Sequence, residues 1–329
     1  MSILCSGSFV ADILVPDLPH IGSPGSLTYA PSGIHLSPGG HSANVAINLA
    51  QLGVKEVYAV GAIGMDDMGK FLLEQLKKRG VVTIPEIKEN YPTAKNIALL
   101  VRGEDRRYIA ESTANSQLTA EHLLESINNV HPSILYQGTL GSLPYIELNL
   151  EYILKRTYNA GILNFIDVII PSNGWDFLKP ALPFIHIFHA NKLEAYSLTG
   201  KRNLDQVLKK LVGDGVKLAI ISDAQNGVFA GTNDYLIEMP VFQVTQRDPT
   251  GAGDALCSGI LSYIPTNMIN IRNITDPEII IELLLEGQAA GAACVTGLGA
   301  TTNVTKEKVK SIIDYQVTQV REKTRMKIL

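Results

Sequence analysis

Between Ser133 and Ile221 short apolar runs alternate with helical patterns, and no other feature restricts the fold of this chain as strongly. Ile134 to Tyr136, Ile162 to Ile166, Ile185 to Phe188 and Leu218 to Ile221 read as strands. Ile146 to Leu154, Lys192 to Leu198 and Leu204 to Val212 read as helices, the second stopped by Gly200. A strand that is apolar at every position is covered on both faces, and parallel neighbours need helical crossovers. The stretch therefore predicts an α/β fold with a mostly parallel sheet between layers of helix, and ligands beyond the C-terminal strand ends. At 329 residues, 46% hydrophobic and 18% charged, the chain can build a substantial core, as one large domain or two smaller ones. No internal repeat or low-complexity linker divides it, so 1–329 is read as a single domain.

The N-terminal third departs from this rhythm. Ile3-Leu4-Cys5 is a short strand ending at Gly7. Asp12 to Pro38 is rich in Pro, Gly and Ser, with strand-like pieces around Leu27 to Tyr29 and Ile34 to Leu36, and is too long for an ordinary βα loop. Lys95 to Arg102 and Arg106 to Ala110 alternate about Gly103-Glu104-Asp105, the pattern of a hairpin. These pieces predict a small β-sheet lid, inserted at about 12–38 and 92–115, of the kind that keeps water from a reacting site. Arg106 and Arg107 read either as solvated hairpin charges or as a reach toward substrate. Open strand edges invite pairing, so a homodimer through the lid is a further expectation.

Two glycine segments open helices. Pro38-Gly39-Gly40-His41-Ser42-Ala43-Asn44 precedes a helical pattern of Val45, Leu49 and Leu52 that Gly53 stops, and reads as a ligand loop or a tight turn. Arg247-Asp248-Pro249-Thr250-Gly251-Ala252-Gly253-Asp254 follows the strand-like run Tyr235 to Met239 and leads into Ala255, Leu256 and Ile260. A helix N-terminus carries unpaired N–H groups and partial positive charge, and glycines let an anion approach them, with phosphate the usual anion. Asp254 beside a phosphate either complements the helix dipole or takes the proton of an attacking hydroxyl. A third segment, Gly64 to Phe71, nearly spells a P-loop, but Phe71 has no hydroxyl for a metal, and Asp66 and Asp67 would face the phosphates. It reads as a turn into a helix that Gly80 ends.

Asp248-x-Thr250-Gly251-Ala252-Gly253-Asp254 resembles the C-terminal signature of the ribokinase family, the phosphofructokinase-B-type carbohydrate and nucleoside kinases. The resemblance covers nearly the whole chain and implies a three-layer α/β/α sandwich with a β-sheet lid. It makes Gly251, Ala252 and Gly253 the anion hole over the transferred phosphate, Asp254 the catalytic base and Thr250 a nucleotide contact. Gly39, Gly40 and Asn44 match the family's sugar-binding Gly-Gly-x-x-x-Asn, and Asp12 its early Asp that holds substrate hydroxyls. His41 stands where ribokinase itself has Lys. Gly64 to Gly69 is similar to the family's Gly-x-Asp-x-x-Gly element. Asn191 and Glu194 match an Asn-x-x-Glu motif that supports Mg²⁺ near the nucleotide phosphates, Glu194 through water. Read alone, Asn191 is equally a helix N-cap. Ser222 to Gly227 takes the place of the nucleotide-touching Thr-x-Gly-x-x-Gly turn, with Ser for Thr and Ala224 for the first Gly. Asp248 would border a monovalent-cation site. The helix Ile279 to Cys294, with its alanine face, would border the adenine. The resemblance thus implies ATP, Mg²⁺ and K⁺, and a sugar or nucleoside as acceptor.

A formal net charge of −4 gives no basic footprint for nucleic acid. Cys5, Cys257 and Cys294 lie far apart, without metal-ligand spacing, and read as buried thiols of a reducing cytosol. The N-terminus lacks a basic signal-peptide start and no apolar run is long enough to span a membrane, so a cytoplasmic protein is expected. Asn273-Ile274-Thr275 and Asn303-Val304-Thr305 match the glycosylation pattern, which has no bearing without secretion. Two other classes were weighed. A dehydrogenase needs Gly-x-Gly-x-x-Gly after its first strand, where this chain has Gly7-Ser8-Phe9. A non-catalytic sugar-sensing protein on the same fold would usually lack the base or the anion hole, and both are here.

Overall fold

The computed structural model describes residues 1–104 and 106–329. Asp105, expected in the lid hairpin turn, lies outside the described residues. In chain order the strands are β1 (Ile3–Ser6), β2 (Val10–Leu18), β3 (His35–Gly39), β4 (Val57–Gly64), β5 (Val82–Lys88), β6 (Lys95–Val101), β7 (Arg107–Ala110), β8 (Ile134–Leu140), β9 (Leu163–Val168), β10 (Ile187–Asn191), β11 (Leu218–Ser222), β12 (Val228–Gly231), β13 (Tyr235–Met239) and β14 (Arg325–Ile328). The helices are α1 (His41–Gln51), α2 (Asp67–Lys78), α3 (Ala120–Val130), α4 (Pro144–Glu147), α5 (Leu150–Asn159), α6 (Lys192–Thr199), α7 (Leu204–Gly213), α8 (Ala252–Thr266), α9 (Pro277–Val295) and α10 (Lys306–Lys323).

Ten strands make the main sheet, in the order β14-β13-β12-β11-β10-β9-β8-β1-β4-β5. From β11 to β5 every pairing is parallel, and β12, β13 and β14 extend the edge antiparallel. Side chains alternate across each strand, so Ile3 and Cys5 join one core while Leu4 joins the other. The first core takes apolar residues of α1, α2, α8, α9 and α10, and the second those of α3 to α7. The predicted α/β/α layering is therefore present.

The lid is a mixed four-stranded sheet in the order β3-β2-β6-β7, with β2 and β6 parallel. The strand-like reading of Leu27 to Tyr29 is corrected: that stretch has no regular structure and is solvent-exposed, and the pairing strand is instead β2, which starts at Val10. Strand-forming residues alone do not make a strand without a partner edge. The expected helix Ile146 to Leu154 is divided into α4 and α5 by Leu148 and Asn149. The P-loop look-alike is a helix start: the Asp66 side chain accepts the Gly69 N–H and caps α2.

Helices α8 and α9 pack at close range because both carry glycine where they meet. A Cβ on Gly259 would collide with the Glu286 carbonyl, and one on Gly287 would press on Ile260 and the Leu256 carbonyl. Since α8 begins at Gly251, this contact sets where the Gly251-Ala252-Gly253 segment stands. We expect Gly259→Ala to lower stability by about 1–3 kcal/mol through overpacking. Melting at the wild-type temperature would show that the two helices can move apart.

Candidate active site

The C-terminal ends of four neighbouring parallel strands meet the N-termini of α1 and α8. Register places Asp167 of β9 beside His189 of β10, and Asn191 of β10 beside Ser222 of β11. Together with the loop before α8 they surround a cavity of about 680 Å³. Both helices start at glycines with positive φ, Gly40 at 89° and Gly251 at 76°. A Cβ there would strike the Ser8 carbonyl and Ala300 respectively, so the tight entries require glycine. No side chain caps α8. The Ala252 N–H donates to the Pro249 carbonyl at 3.4 Å, and the helix start at Gly251, Ala252 and Gly253 lines the cavity, where its partial positive charge suits an anion.

Helices α1 and α8 bring the two glycine loops together. The Asn44 side-chain N–H donates to Asp254 Oδ2 at 2.8 Å. Burial pushes the Asp254 carboxyl up, while His41 pulls the other way. Asp12, on β2, is also buried, and burial pushes it up to about 7. Gly39 is what admits it, since a Cβ there would strike the Asp12 carboxylate. Asp12 Oδ1 and Asn44 Oδ1 are buried oxygens without a partner. Both are acceptors, so this end of the site suits a ligand rich in hydroxyl donors.

At the other end, Asn191 and Glu194 form a reciprocal capping box: Asn191 Oδ1 accepts the Glu194 N–H at 3.0 Å, and Glu194 Oε2 accepts the Asn191 N–H at 2.7 Å. Burial and the nearby Asp167 push Glu194 up to about 7. A carboxylate in that position gains from a hard cation, so it fits Mg²⁺. Ser222 and Gly227 line the same end of the cavity. Ala224 sits at φ 45°, in the left-handed region that favours glycine.

Asp248 is fully buried, its Oδ1 accepting the Thr250 N–H at 2.9 Å and its Oδ2 the Gly299 N–H at 2.8 Å. It braces the anion loop against the segment after α9. Thr250 Oγ1 lies 2.9 Å from Tyr108 OH of the lid strand β7, which joins lid to anion loop. Arg106 stacks on Tyr108 and lines the cavity, whereas Arg107 is exposed and pairs with Glu104.

Asp167 and His189 were not singled out from sequence, and His41 was noted there only as a member of the Gly39-Gly40 loop where ribokinase has Lys. Asp167 accepts from His189 Nδ1 at 2.9 Å through Oδ1 and from Tyr136 OH at 3.0 Å through Oδ2. His41 Nδ1 stands 3.4 Å from Asp167 Oδ2 and 3.9 Å from Asp254 Oδ1. Burial opposes charge on His41, but Asp254 and Asp167 outweigh it and push the ring up to about 10. With Nδ1 protonated, the Thr139 amide 3.2 Å from the same nitrogen gives up its bond. Burial also disfavours the Asp167 anion, yet His189 and His41 hold it well below the usual carboxylate range. The signal in the sequence was a polar residue in an otherwise apolar strand end, Asp167 after Phe165-Ile166 and His189 after Ile187-Phe188.

A glycine-built helix start, a buried carboxylate and a pocket of unpartnered acceptor oxygens at the strand ends of an α/β sandwich are what a phosphotransferase needs. The chain matches the pfkB family carbohydrate kinase description over residues 2–307, and it belongs to that family. It is 28% identical to fructokinase-2 of Oryza sativa, over 80% of this chain and 81% of that one. It is 29% identical to pseudouridine kinase of Escherichia coli, over 72% of this chain and 77% of that one. The fructokinase of Xylella fastidiosa, solved with bound ATP, superposes with a TM-score of 0.79 at 25% identity, covering 96% of this chain and 99% of that one. Among the described residues, no helix is long and apolar enough to cross a membrane.

The Asp12 environment has a measurable consequence. Its folded carboxyl titrates at about 7 and its unfolded one near the ordinary value of 3.8. Between those values unfolding releases a proton, so this contribution to stability is present at low pH and is lost as pH rises through the window. Asp12→Asn is expected to melt above the wild type near about pH 8, with the gap closing near about pH 4. Parallel melting curves for the two proteins across that range would show that Asp12 carries no such cost.

Proposed function

We propose that this enzyme transfers the terminal phosphoryl group of Mg·ATP to a hydroxyl of a small sugar, with Asp254 as the base. The observation that carries the reading is the buried Asp254 carboxylate at the uncapped start of α8, tied to Asn44 of the second glycine loop. The donor phosphates would lie on the N–H groups of Gly251, Ala252 and Gly253, with Thr250, Ser222, Gly227 and Asn191 as further nucleotide contacts. Glu194 would hold Mg²⁺ through water, and the metal would neutralise phosphate charge. Asp12, Gly39, Gly40 and Asn44 would hold the acceptor through its hydroxyls. The acceptor oxygen forms the new bond to the terminal phosphorus as the bond to ADP breaks, and its proton goes to Asp254. Positioning and charge supply most of such a rate gain, and the base adds a factor of roughly 10²–10⁴.

A nucleoside is the second acceptor reading, because a pseudouridine kinase is among the relatives. The net charge of −4 supports a small acceptor over a nucleic acid. The three cysteines are free and buried, which supports a reducing cytoplasm. Leu27, Tyr29, Ile34, Leu36 and Ile109 are exposed on and beside the lid, which supports a homodimer formed there. A monovalent cation such as K⁺ beside Asp248 would act by stiffening the anion loop that this residue braces.

ADP release from Mg·ATP, measured against a panel of sugars, polyols and nucleosides, tests the reaction. One acceptor should raise turnover well above background, and Asp254→Asn should lose a factor of about 10²–10⁴ in kcat while still binding substrate. An unimpaired kcat removes Asp254 from the chemistry, and thermal shifts by sugars without turnover would mark a binding protein. Light scattering at assay concentration should give the mass of a dimer, and a monomer ends the lid proposal. Rates equal in K⁺, Na⁺ and cation-free buffer would dismiss the monovalent cation.

A further inference from the structure

We propose that His189 is a catalytic residue whose Nε2–H contacts the donor phosphates, and that Asp167 is the positioning residue that holds the ring there. This rests on the donor phosphates lying at the start of α8. His189 projects from the C-terminal end of β10 into the cavity wall and is almost fully buried. Its two ring nitrogens have different partners. Nδ1 is bound to Asp167 Oδ1 at 2.9 Å, and Nε2 lies 3.2 Å from Ser222 Oγ, where the donor turn begins. Its ring edge lies under the anion loop, 3.5 Å from where a Cβ of Gly253 would stand. One side chain therefore touches the two segments assigned to the nucleotide.

Charge gives the ring its role. Three carboxylates line the cavity, Asp167, Glu194 and Asp254, and among the described residues no lysine does. A phosphate chain does not enter such a space unless cations offset the acids. The cations are Arg106 from the lid, His41 toward the acceptor and His189 toward the donor. The groups that face His189 are Asp167 from β9, Glu194 from α6 and Asp254 from α8, with Tyr136 of β8, Cys257 of α8 and His41 of α1 gathered around the same Asp167. Burial opposes the charge on His189, and those carboxylates outweigh it. A bond from Asp167 to Nδ1 fixes the ring so that Nε2–H faces Ser222 and the cavity. A buried, charge-assisted donor aimed at a phosphate oxygen gains strength as negative charge grows on the leaving group.

The test is calorimetric binding of Mg·ADP together with steady-state kinetics. His189→Gln should weaken Mg·ADP binding about tenfold to a hundredfold and lower kcat/KM for ATP at least as much, as loss of a charged hydrogen bond does. The KM of the acceptor should stay within about threefold, which loss of a merely structural contact would not guarantee. Asp167→Asn, which also loosens His41, should weaken Mg·ADP binding by a similar factor, and the double variant should bind Mg·ADP little worse than either single one, because both remove one unit. Equal Mg·ADP affinity in wild type and His189→Gln, or an effect confined to the acceptor, overturns the proposal. If the variants do not fold, ¹⁵N-imidazole spectra of the wild type decide. The ring hydrogen-bonded through Nδ1 to a carboxylate should shift with Mg·ADP. A spectrum that Mg·ADP leaves unchanged overturns it. A wild type that does not bind Mg·ADP brings down the reading of α8 and this proposal together, whereas equal binding by wild type and variant brings down the proposal alone.

Discussion

The hydrogen bond from Asn44 to Asp254 joins the two halves of the site across 210 residues of sequence. Each partner stands in the first turns of a helix that begins on a glycine. One helix follows a lid strand, and the other follows the loop braced by Asp248. The bond can form only where α1 and α8 pack side by side against the same face of the main sheet. It puts the carboxylate at the positive end of a helix, where the dipole favours its charge, and in a buried place that disfavours it. A group balanced in this way can hold a proton during a reaction and release it afterwards. The Gly39-Gly40 loop and the loop of Gly251 to Gly253 take their relative positions from it.

The cavity is governed by charge balance as much as by shape. Asp167, Glu194 and Asp254 would repel a phosphate chain. Asp167 changes this by gathering His41 and His189 on its two oxygens. One buried carboxylate so draws two histidine rings to the cavity wall. Tyr136 donates to the same carboxylate and stabilises it further. The arrangement differs from a lysine side chain in being rigid, since the rings are fixed by strand register and by their hydrogen bonds.

The lid is mechanically tied to this centre. Tyr108 binds Thr250, Arg106 stacks on Tyr108 and faces the cavity, and Asp12 lies on the lid strand next to Gly39. A movement of the β2–β7 sheet thus shifts acceptor contacts and the anion loop together. The chain belongs to a family of phosphotransferases, and keeping water from the transferred group is the physical requirement such a coupling meets.

Much of this was legible in the sequence. The βα alternation from Ser133 fixed the parallel layers, because apolar runs without polar interruption can only be buried on both sides. Gly39, Gly40, Gly251 and Asp254 were legible through the family resemblance, because alone the glycines read equally as tight turns and Asp254 as a partner of the helix dipole. Leu27 to Tyr29 misled, since strand-forming residues lay there without an edge to pair with, and β14 was passed over because its charged residues become a strand only against β13. Tertiary structure alone decided how the polar strand ends combine. Asp167, His189 and Ser222 lie on three different strands, and His41 comes from a distant helix. Periodicity assigns a residue to an element and a face, while distances between strand ends follow from strand order and register, which local sequence does not encode.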